Sequence, residues 1–593
     1  MDKPETNPSL PKWSLADLLD DSKADEVNQA LADFELKVKV VEAWRPKLSA
    51  DIPVEEFKKF LADAEAMDAA ETKLSSYAGL RFEEDTQNQQ AVALKSKLED
   101  IFTDARNRTL FFSLWWKSLD DTNAGRLDQA AGSEDYWLRH SRLFKPYMLS
   151  EPVEQVINLK DSTGSSALDT LYSLLTDKLE FTFEVDGETK KLTRGEIESY
   201  WRSPNLEIRR TAYKEFYRVY KELGTTLAYI YSAMVRDYAN EEIKLRGFKS
   251  PISARNLSNN IPDEVIETLL KVVKKNAFVF RNYFELKAKW LDVPKLRRCD
   301  LYAPLPMPQK EYRFEEATQL VFEIFGKFSP KLEEYARKVF ADNHIDAQIR
   351  KGKNNGAFCA STLPRLSPWV LVSYNGKIYD VETLAHELGH SVHSQMAKEH
   401  SIYNFHPALP LAETASTFGE MLLMNELLEK ESDPQVKKYL LARMLDSTYA
   451  TVGRQGFFAM WEMEAHKLAA DGATAEEICE IYLKNLKEQF GDSMELDEDF
   501  RWEWVTIPHF YSTPFYVYAY TFGELLVYSL YRMFQTEGES FKPKYLEILS
   551  AGGSDSPANI LAKAGINIAS EEFWQGGFDA IADLVNRIKE LSK

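Results

Sequence analysis

The sequence predicts a mainly helical fold, and three observations carry that prediction. Apolar residues recur at helical spacing through three long runs before residue 120. Strand-type alternation first occurs at residues 179–185. The one later strand-like stretch lies within residues 350–380, which makes the β content a small local element.

Taken in order, Leu31, Phe34, Val38 and Val41 share one helix face, and Pro46 ends that run. Phe57, Leu61 and Ala64 open a second run, and Val92, Leu98, Ile101 and Ala105 mark a third. Glycine and proline are scarce in that third run, which predicts a long antiparallel bundle. Trp115 and Trp116 are read as core. Residues 179–185 alternate, Asp186-Gly187 supplies a hairpin turn, and Lys191-Leu192 begin the return strand. Thr193 and Glu196 have capping-box spacing. Ser203-Pro204 is read as the start of a long helix through Tyr217 to Glu241, and Asp263 as the cap of a helix reaching Trp290. The main boundary is placed near residue 200, between an N-terminal helical region, 1–200, and a second region, 201–593.

Residues 294–308 are proline-rich, with Pro294, Pro304, Pro306 and Pro308, and read as a loop; helix resumes over 314–341. Residues 369–374 read as a strand, Asn375-Gly376 as a hairpin signal, and Asp380 as the cap of the next helix. An exposed strand here could pair with an extended peptide or could simply stabilise the fold.

The chain has 593 residues, 44% hydrophobic and 28% charged, with a net charge of −20. Such a chain repels nucleic acid and anionic membranes, which argues against both as partners. Cys299, Cys359 and Cys479 are widely spaced and odd in number, so neither a disulfide framework nor a cysteine metal site is expected. Each reads as a small buried hydrophobe. Met1–Thr6 shows no basic-then-apolar signal pattern, and no apolar run reaches 18 residues. A reducing cytoplasm is the expected setting.

Chemistry concentrates at residues 381–393, which contain His386-Glu387-Leu388-Gly389-His390. On a helix the two histidines stand one turn apart on one face, suited to a single Zn2+ ion per chain. Glu387 is rotated about 100° from His386, out of a ligand position, and suits a general base acting on the metal-bound water. A catalytic zinc usually keeps three protein ligands. Residues 410–420 read as a helix after a proline-rich turn, with Glu413 and Glu420 seven apart on one otherwise small, apolar face. Glu413 is the expected third ligand. Glu420 either orients a histidine or forms a structural ion pair. His393 is read as packing or support, and His400 and His406 as exposed loop residues. His140, His344 and His466 fall in no motif.

The motif at 386–390 followed by residues 411–420 resembles the oligoendopeptidase F branch of the thimet-oligopeptidase-like zinc metallopeptidases. The resemblance continues at 356–359, 373–376, 509–511, 514–520 and 551–557, and is strong over roughly 205–590. It implies a largely helical, two-lobed body around a deep substrate channel, with zinc at the channel floor and a small β-element beside the zinc helix. It implies His386, His390 and Glu413 as ligands and Glu387 as general base. It further implies that His509, Tyr516 and Tyr520 supply the donors that stabilise the oxyanion. Tyr516 and Tyr520, spaced i and i+4, are read as one helix face, and Tyr518 as pointing elsewhere.

The expected function is zinc-dependent endopeptidase cleavage of short unstructured oligopeptides. A dipeptidyl carboxypeptidase would need a cationic anchor for the substrate carboxylate, for which Arg365 and Lys377 are slight support. A non-catalytic peptide-binding protein sits poorly with an intact Glu387, and a structural zinc site would want four protein ligands.

Overall fold

The computed structural model describes residues 10–20, 25–185, 187–305 and 310–592. The expectations placed on Met1–Thr6, on Asp186 and on Pro306 and Pro308 lie outside the described residues. Helix accounts for 71% of the chain and strand for 4%, which bears out the mainly helical reading. The chain forms two compact units, each assembled from three separate stretches.

The first unit comprises Met1–Lys145, Gln309–Glu429 and Glu537–Ile566. Of the positions that set the periodicity, helices Glu26–Glu42, Val54–Glu84 and Gln89–Thr109 bury Phe34, Val38, Val41, Phe57, Leu61, Ala64, Leu98 and Ala105, while Val92 is exposed and Leu31 and Ile101 are half-buried. Pro46 stands in a short 3-10 turn beyond the first helix. Trp116 is 1% exposed and donates its indole N–H to the Leu138 carbonyl at 2.9 Å, while Trp115 packs against the same core. The helical run at 314–341 is two helices, Phe314–Phe328 and Pro330–Ala341. The break follows from Pro330, which disfavours helical geometry at Ser329 and leaves it extended.

The small β-element of this unit is a three-stranded sheet. Trp369–Leu371 lies between Ile345–Asp346, to which it is parallel, and Phe358–Ala360, to which it is antiparallel. No hairpin forms at Asn375-Gly376. Gly376 instead takes φ +80°, its carbonyl accepts the Tyr312 N–H at 2.9 Å, and the chain turns directly into helix Ile378–Met396. Asp380 lies inside that helix rather than at its cap. Its carboxylate still satisfies free backbone donors, accepting from Asn375 N and Lys377 N at 2.9 Å each.

The second unit comprises Pro146–Pro308, Lys430–Thr536 and Asn567–Lys593, so residue 200 falls within it. Phe181–Val185 pairs antiparallel with Glu188–Leu192 as expected, and Thr193 and Glu196 form the capping box. The long helix is Leu206–Tyr238, capped by Asn205 rather than Ser203, because the Asn205 side chain accepts from Glu207 N and Ile208 N. It continues as a π-helical turn, Ala239–Leu245. The run from 263 to 290 is likewise two helices, Asp263–Lys275 and Ala277–Trp290. Asn276 separates them, its side-chain amide taking the Val272 carbonyl at 2.9 Å. The three cysteines are free; Cys299 and Cys479 are buried and Cys359 is partly exposed. Among the described residues, no helix is long and apolar enough to cross a membrane.

Candidate metal centre

Helix Ile378–Met396 presents His386 and His390 on one face, with ring centroids 4.7 Å apart. Glu413 reaches them from a turn. Glu413 and Glu420 do not share one helix, contrary to what their spacing suggests. Leu409–Leu411 is a 3-10 turn, and the helix begins only at Ser416 and runs to Lys430. Glu413 precedes that start; its carbonyl accepts Thr417 N at 3.2 Å and its carboxylate accepts the Ser416 hydroxyl at 2.7 Å. Glu420 lies on the helix proper.

Glycine makes the approach possible. A Cβ on Gly389 would stand 2.5 Å from Ser416 Cα and 2.6 Å from the Ala415 carbonyl oxygen. A Cβ on Gly419 would stand 3.3 Å from the Ala385 carbonyl oxygen. The two backbones therefore cross without intervening side chains, which brings Glu413 over the histidines. Neither Gly389 nor Ser416 was singled out from the sequence. A lone glycine inside a helical pattern was the available signal for a close approach.

His386 Nε2 lies 3.1 Å from His390 Nε2 and 3.3 Å from Glu413 Oε2, and the third side of the triangle is 3.4 Å. A tetrahedral zinc ion with bonds of about 2.0–2.1 Å needs donor atoms about 3.3–3.4 Å apart. The three donors fit that requirement and leave a fourth position. Among the described residues they are the only group of three with metal-binding reach. Glu420 hydrogen-bonds to Nδ1 of His386 on the far side of the ring, so Nε2 faces the centre.

Charge is distributed unevenly over this cluster. Burial pulls the His386 imidazole down, but the Glu420 hydrogen bond and the charges of Glu420, Glu413 and Glu387 push it up to about 9. Burial lowers His390 to about 4, with Glu413 opposing and His386 assisting, so the two rings do not share charge equally. Glu387 is 6% exposed. Burial raises its carboxyl to about 7, against the charge of His386 and with those of Glu413 and Glu420. Burial foremost, and then the Glu387 charge, raises the Cys359 thiol, which places strand Phe358–Ala360 beside Glu387. That strand is an edge of its sheet.

The other histidines of the first unit have surroundings of their own. His393 is buried, and burial and its neighbour His390 hold it down to about 4. His400 meets the Ser550 carbonyl at 2.8 Å and is partly buried, while His406 is exposed. His140 stacks on Tyr136, and His344 stacks on Trp369 at 3.8 Å.

His509, Tyr516 and Tyr520 belong to the second unit, and it brings them together. The His509 ring stacks on Tyr516 at 5.6 Å, and its Nε2 lies 3.2 Å from the Tyr520 hydroxyl. Burial and the charge of Arg454 lower His509, which keeps it neutral. Helix Tyr518–Glu537 carries Tyr520 but not Tyr516, which stands in the preceding turn; the two rings nevertheless meet at 5.3 Å. The turn is held from two sides. Glu462 Oε1 accepts the Phe515 N–H at 2.8 Å, and Arg255 donates to the Pro514 carbonyl at 3.1 Å. Tyr518 points away, its hydroxyl accepting from Asn259 at 2.7 Å.

Residues 199–580 match the profile described as Peptidase family M3, and residues 116–181 that described as Oligopeptidase F. Oligopeptidase PepF of Bacillus subtilis is 29% identical over 536 residues, covering 88% of this chain and 78% of the relative. Chromosomal oligoendopeptidase F of Lactococcus lactis subsp. cremoris is 28% identical over 532 residues, covering 88% and 87%. A crystal structure from Chlamydophila abortus superposes with a TM-score of 0.87 at 26% identity, covering 98% of each chain. Oligoendopeptidase-F from Enterococcus faecium superposes at 0.71 with 24% identity, covering 95% of this chain and 99% of that one, and speaks to the fold.

Proposed function

The chain belongs to peptidase family M3, in its oligopeptidase F branch, and on that basis we propose how its own residues divide the reaction. It is a metalloendopeptidase that hydrolyses oligopeptides. In our reading His386, His390 and Glu413 hold one zinc ion, two imidazoles and a carboxylate favouring zinc over harder cations. Zinc bound there would polarise the scissile carbonyl and bring the pKa of water toward about 7.

Glu387 takes the proton of the attacking water and delivers it to the departing amine, a cycle that suits a carboxyl raised toward neutrality by burial. Glu420 orients His386, and Ser416 fixes the Glu413 carboxylate. His509, Tyr516 and Tyr520 form the donor group for the oxyanion. The Tyr520 hydroxyl is engaged with His509, whereas that of Tyr516 makes no hydrogen bond among the described residues, so Tyr516 is the leading donor. The Phe358–Ala360 edge pairs with the peptide backbone, which gives sequence-tolerant binding of short, unstructured peptides. Residues 201–593 form the catalytic region and 1–200 an N-terminal helical region. Three free cysteines suit a reducing cytoplasm.

The observation that carries this reading is the triangle of donor atoms with Glu387 next to it on the same helix. Its test is mass spectrometry of a mixed peptide pool, including N-acetylated, C-terminally amidated members, with and without a chelator. Internal cuts in the blocked peptides, lost on chelation and restored by zinc, are expected. Cleavage that survives metal removal overturns the reading. Release of dipeptides only from free C-termini assigns a dipeptidyl carboxypeptidase instead.

A further inference from the structure

Residues 10–19 form a strap along one edge of the three-stranded sheet of the first unit. The Pro11 carbonyl accepts Ala347 N at 2.9 Å, and Ser14 N donates to the Asn343 carbonyl at 2.8 Å, so the strap runs antiparallel to Ile345–Asp346 and brackets it. The side chains of Gln348 and Trp369 donate to the Leu10 and Ser14 carbonyls at 2.8 Å each. Cover of this kind closes a sheet edge that would otherwise stay open to pairing. The Ile345–Asp346 edge is thereby taken, and Phe358–Ala360 is the edge opposite.

The strap reaches that opposite edge through one side chain. Trp13 is 5% exposed, and its ring lies 6.2 Å from that of Phe358, tilted by 51°. Side chains alternate along a strand, so Phe358 and Ala360 share a face and Cys359 takes the other. Phe358 pairs with Leu371 and Ala360 with Trp369, and all four pack with Trp13 in the apolar core of this unit. Phe358 is only half-buried there, whereas Trp13, Trp369 and Leu371 are buried.

The other face of the strand meets helix Ile378–Met396. The hydroxyls of Ser361 and Ser394 are hydrogen-bonded, which ties the end of the strand to that helix, and Ser394 also donates to the His390 carbonyl at 3.1 Å. Cys359, on this face, feels the charge of Glu387. The strand has three residues and few ladder bonds of its own, so its placement depends on what packs against its two faces. Trp13 presses on one face, and the helix carrying His386, Glu387 and His390 on the other.

We propose that Trp13 is a positioning residue for the substrate: through Phe358 it sets where the peptide-binding edge lies relative to Glu387, and so how well a peptide backbone is held there. This rests on the reading that the Phe358–Ala360 edge pairs with the peptide.

The test uses the zinc-loaded full chain, a blocked oligopeptide cleaved at one internal bond, and copies of that peptide N-methylated at single backbone amides. Trp13→Leu should raise KM about three- to tenfold, the scale of one aromatic contact, with kcat and zinc content unchanged. Trp13→Phe should recover most of the loss, and Trp13→Leu combined with Phe358→Leu should do no more than the larger single change. Phe34→Leu, in the same core but against Phe102, should lower the melting temperature and leave KM alone. Gln348→Ala frees Leu10 without opening the core and should raise KM in the same direction, which keeps the test alive if Trp13→Leu does not fold. The proposal alone is overturned if N-methylation weakens the wild-type reaction while KM is unchanged in folded Trp13→Leu, or in Gln348→Ala where that variant does not fold. Additive effects of Trp13→Leu and Phe358→Leu, or an equal rise of KM in Phe34→Leu, overturn it too. Equal turnover of every N-methylated copy overturns the edge-pairing reading itself, and the proposal with it.

Discussion

Glu420 holds His386 by Nδ1 while the opposite nitrogen of the same ring faces Glu413 at 3.3 Å. The two glutamates thus act on one imidazole from its two ends, although 34 positions separate His386 from Glu420. Removing this support should cost zinc affinity or activity about 10–100-fold. Glu420→Ala should show the full loss in a competitive chelator titration, and Glu420→Gln, which keeps an acceptor but not the charge, a smaller one. Wild-type affinity and turnover in both variants would return Glu420 to a structural ion pair.

Glu387 has the separable role. Glu387→Gln should lower turnover by about 10²–10⁴-fold, the usual range for general acid–base catalysis, while zinc content stays at one per chain. Metal analysis beside a peptide-cleavage assay distinguishes this from loss of the site. Persistent cleavage at the wild-type rate would sink the assignment.

Gly389 lies where two backbones cross. In Gly389→Ala the new Cβ would stand 2.5 Å from Ser416 Cα, a contact that no side-chain rotation relieves. Overpacking of this kind costs about 1–3 kcal/mol. The variant should melt at lower temperature and bind zinc more weakly, because the shift moves Glu413. An unchanged melting temperature with unchanged zinc affinity would show that the crossing tolerates the methyl group.

Glu462 should matter to rate through the turn it holds. Phe515 has φ +59°, a left-handed conformation that a non-glycine residue adopts at a cost. Glu462→Leu removes the acceptor for the Phe515 N–H and should lower kcat with little change in KM; Glu462→Gln keeps an acceptor and should restore it. Equal kinetic loss in both variants would show that the hydrogen bond is not what positions Tyr516.

The same residue gives a pH signature. Burial raises Glu462 from 4.5 to about 8. Between those values the folded chain binds a proton that the unfolded chain has released. Its contribution is fully present below 4.5 and is lost as pH rises through about 8. Denaturation midpoints measured from pH 5 to 9 should fall more steeply in wild type than in Glu462→Gln. Parallel slopes would mean that the carboxyl is ionised in the folded chain throughout.

Which features were legible before folding follows from the range of the interactions involved. Phe34, Val38 and Val41 were readable as a buried helix face because periodicity is local. The histidine pair was readable because one helical turn joins its members. Where the reading slipped, a local alternative had won. Asn205 took the cap that Ser203 was assigned, Asn276 and Pro330 cut helices in two, and Gly376 turned the chain rather than closing a hairpin. Glu413 does lie within reach of the two histidines, but its seven-residue spacing from Glu420 is not a shared helix face.

By itself the sequence determined the mainly helical class, pointed to His386, His390 and Glu413 as the candidate donors, and placed Glu387 beside them. Each rests on contacts one or two turns apart or on a motif of fixed spacing. Only tertiary structure decided that Glu413 arrives from a turn and that Gly389 lets it arrive. Those outcomes depend on how closely segments distant in the chain pack, and local spacing carries no record of that distance.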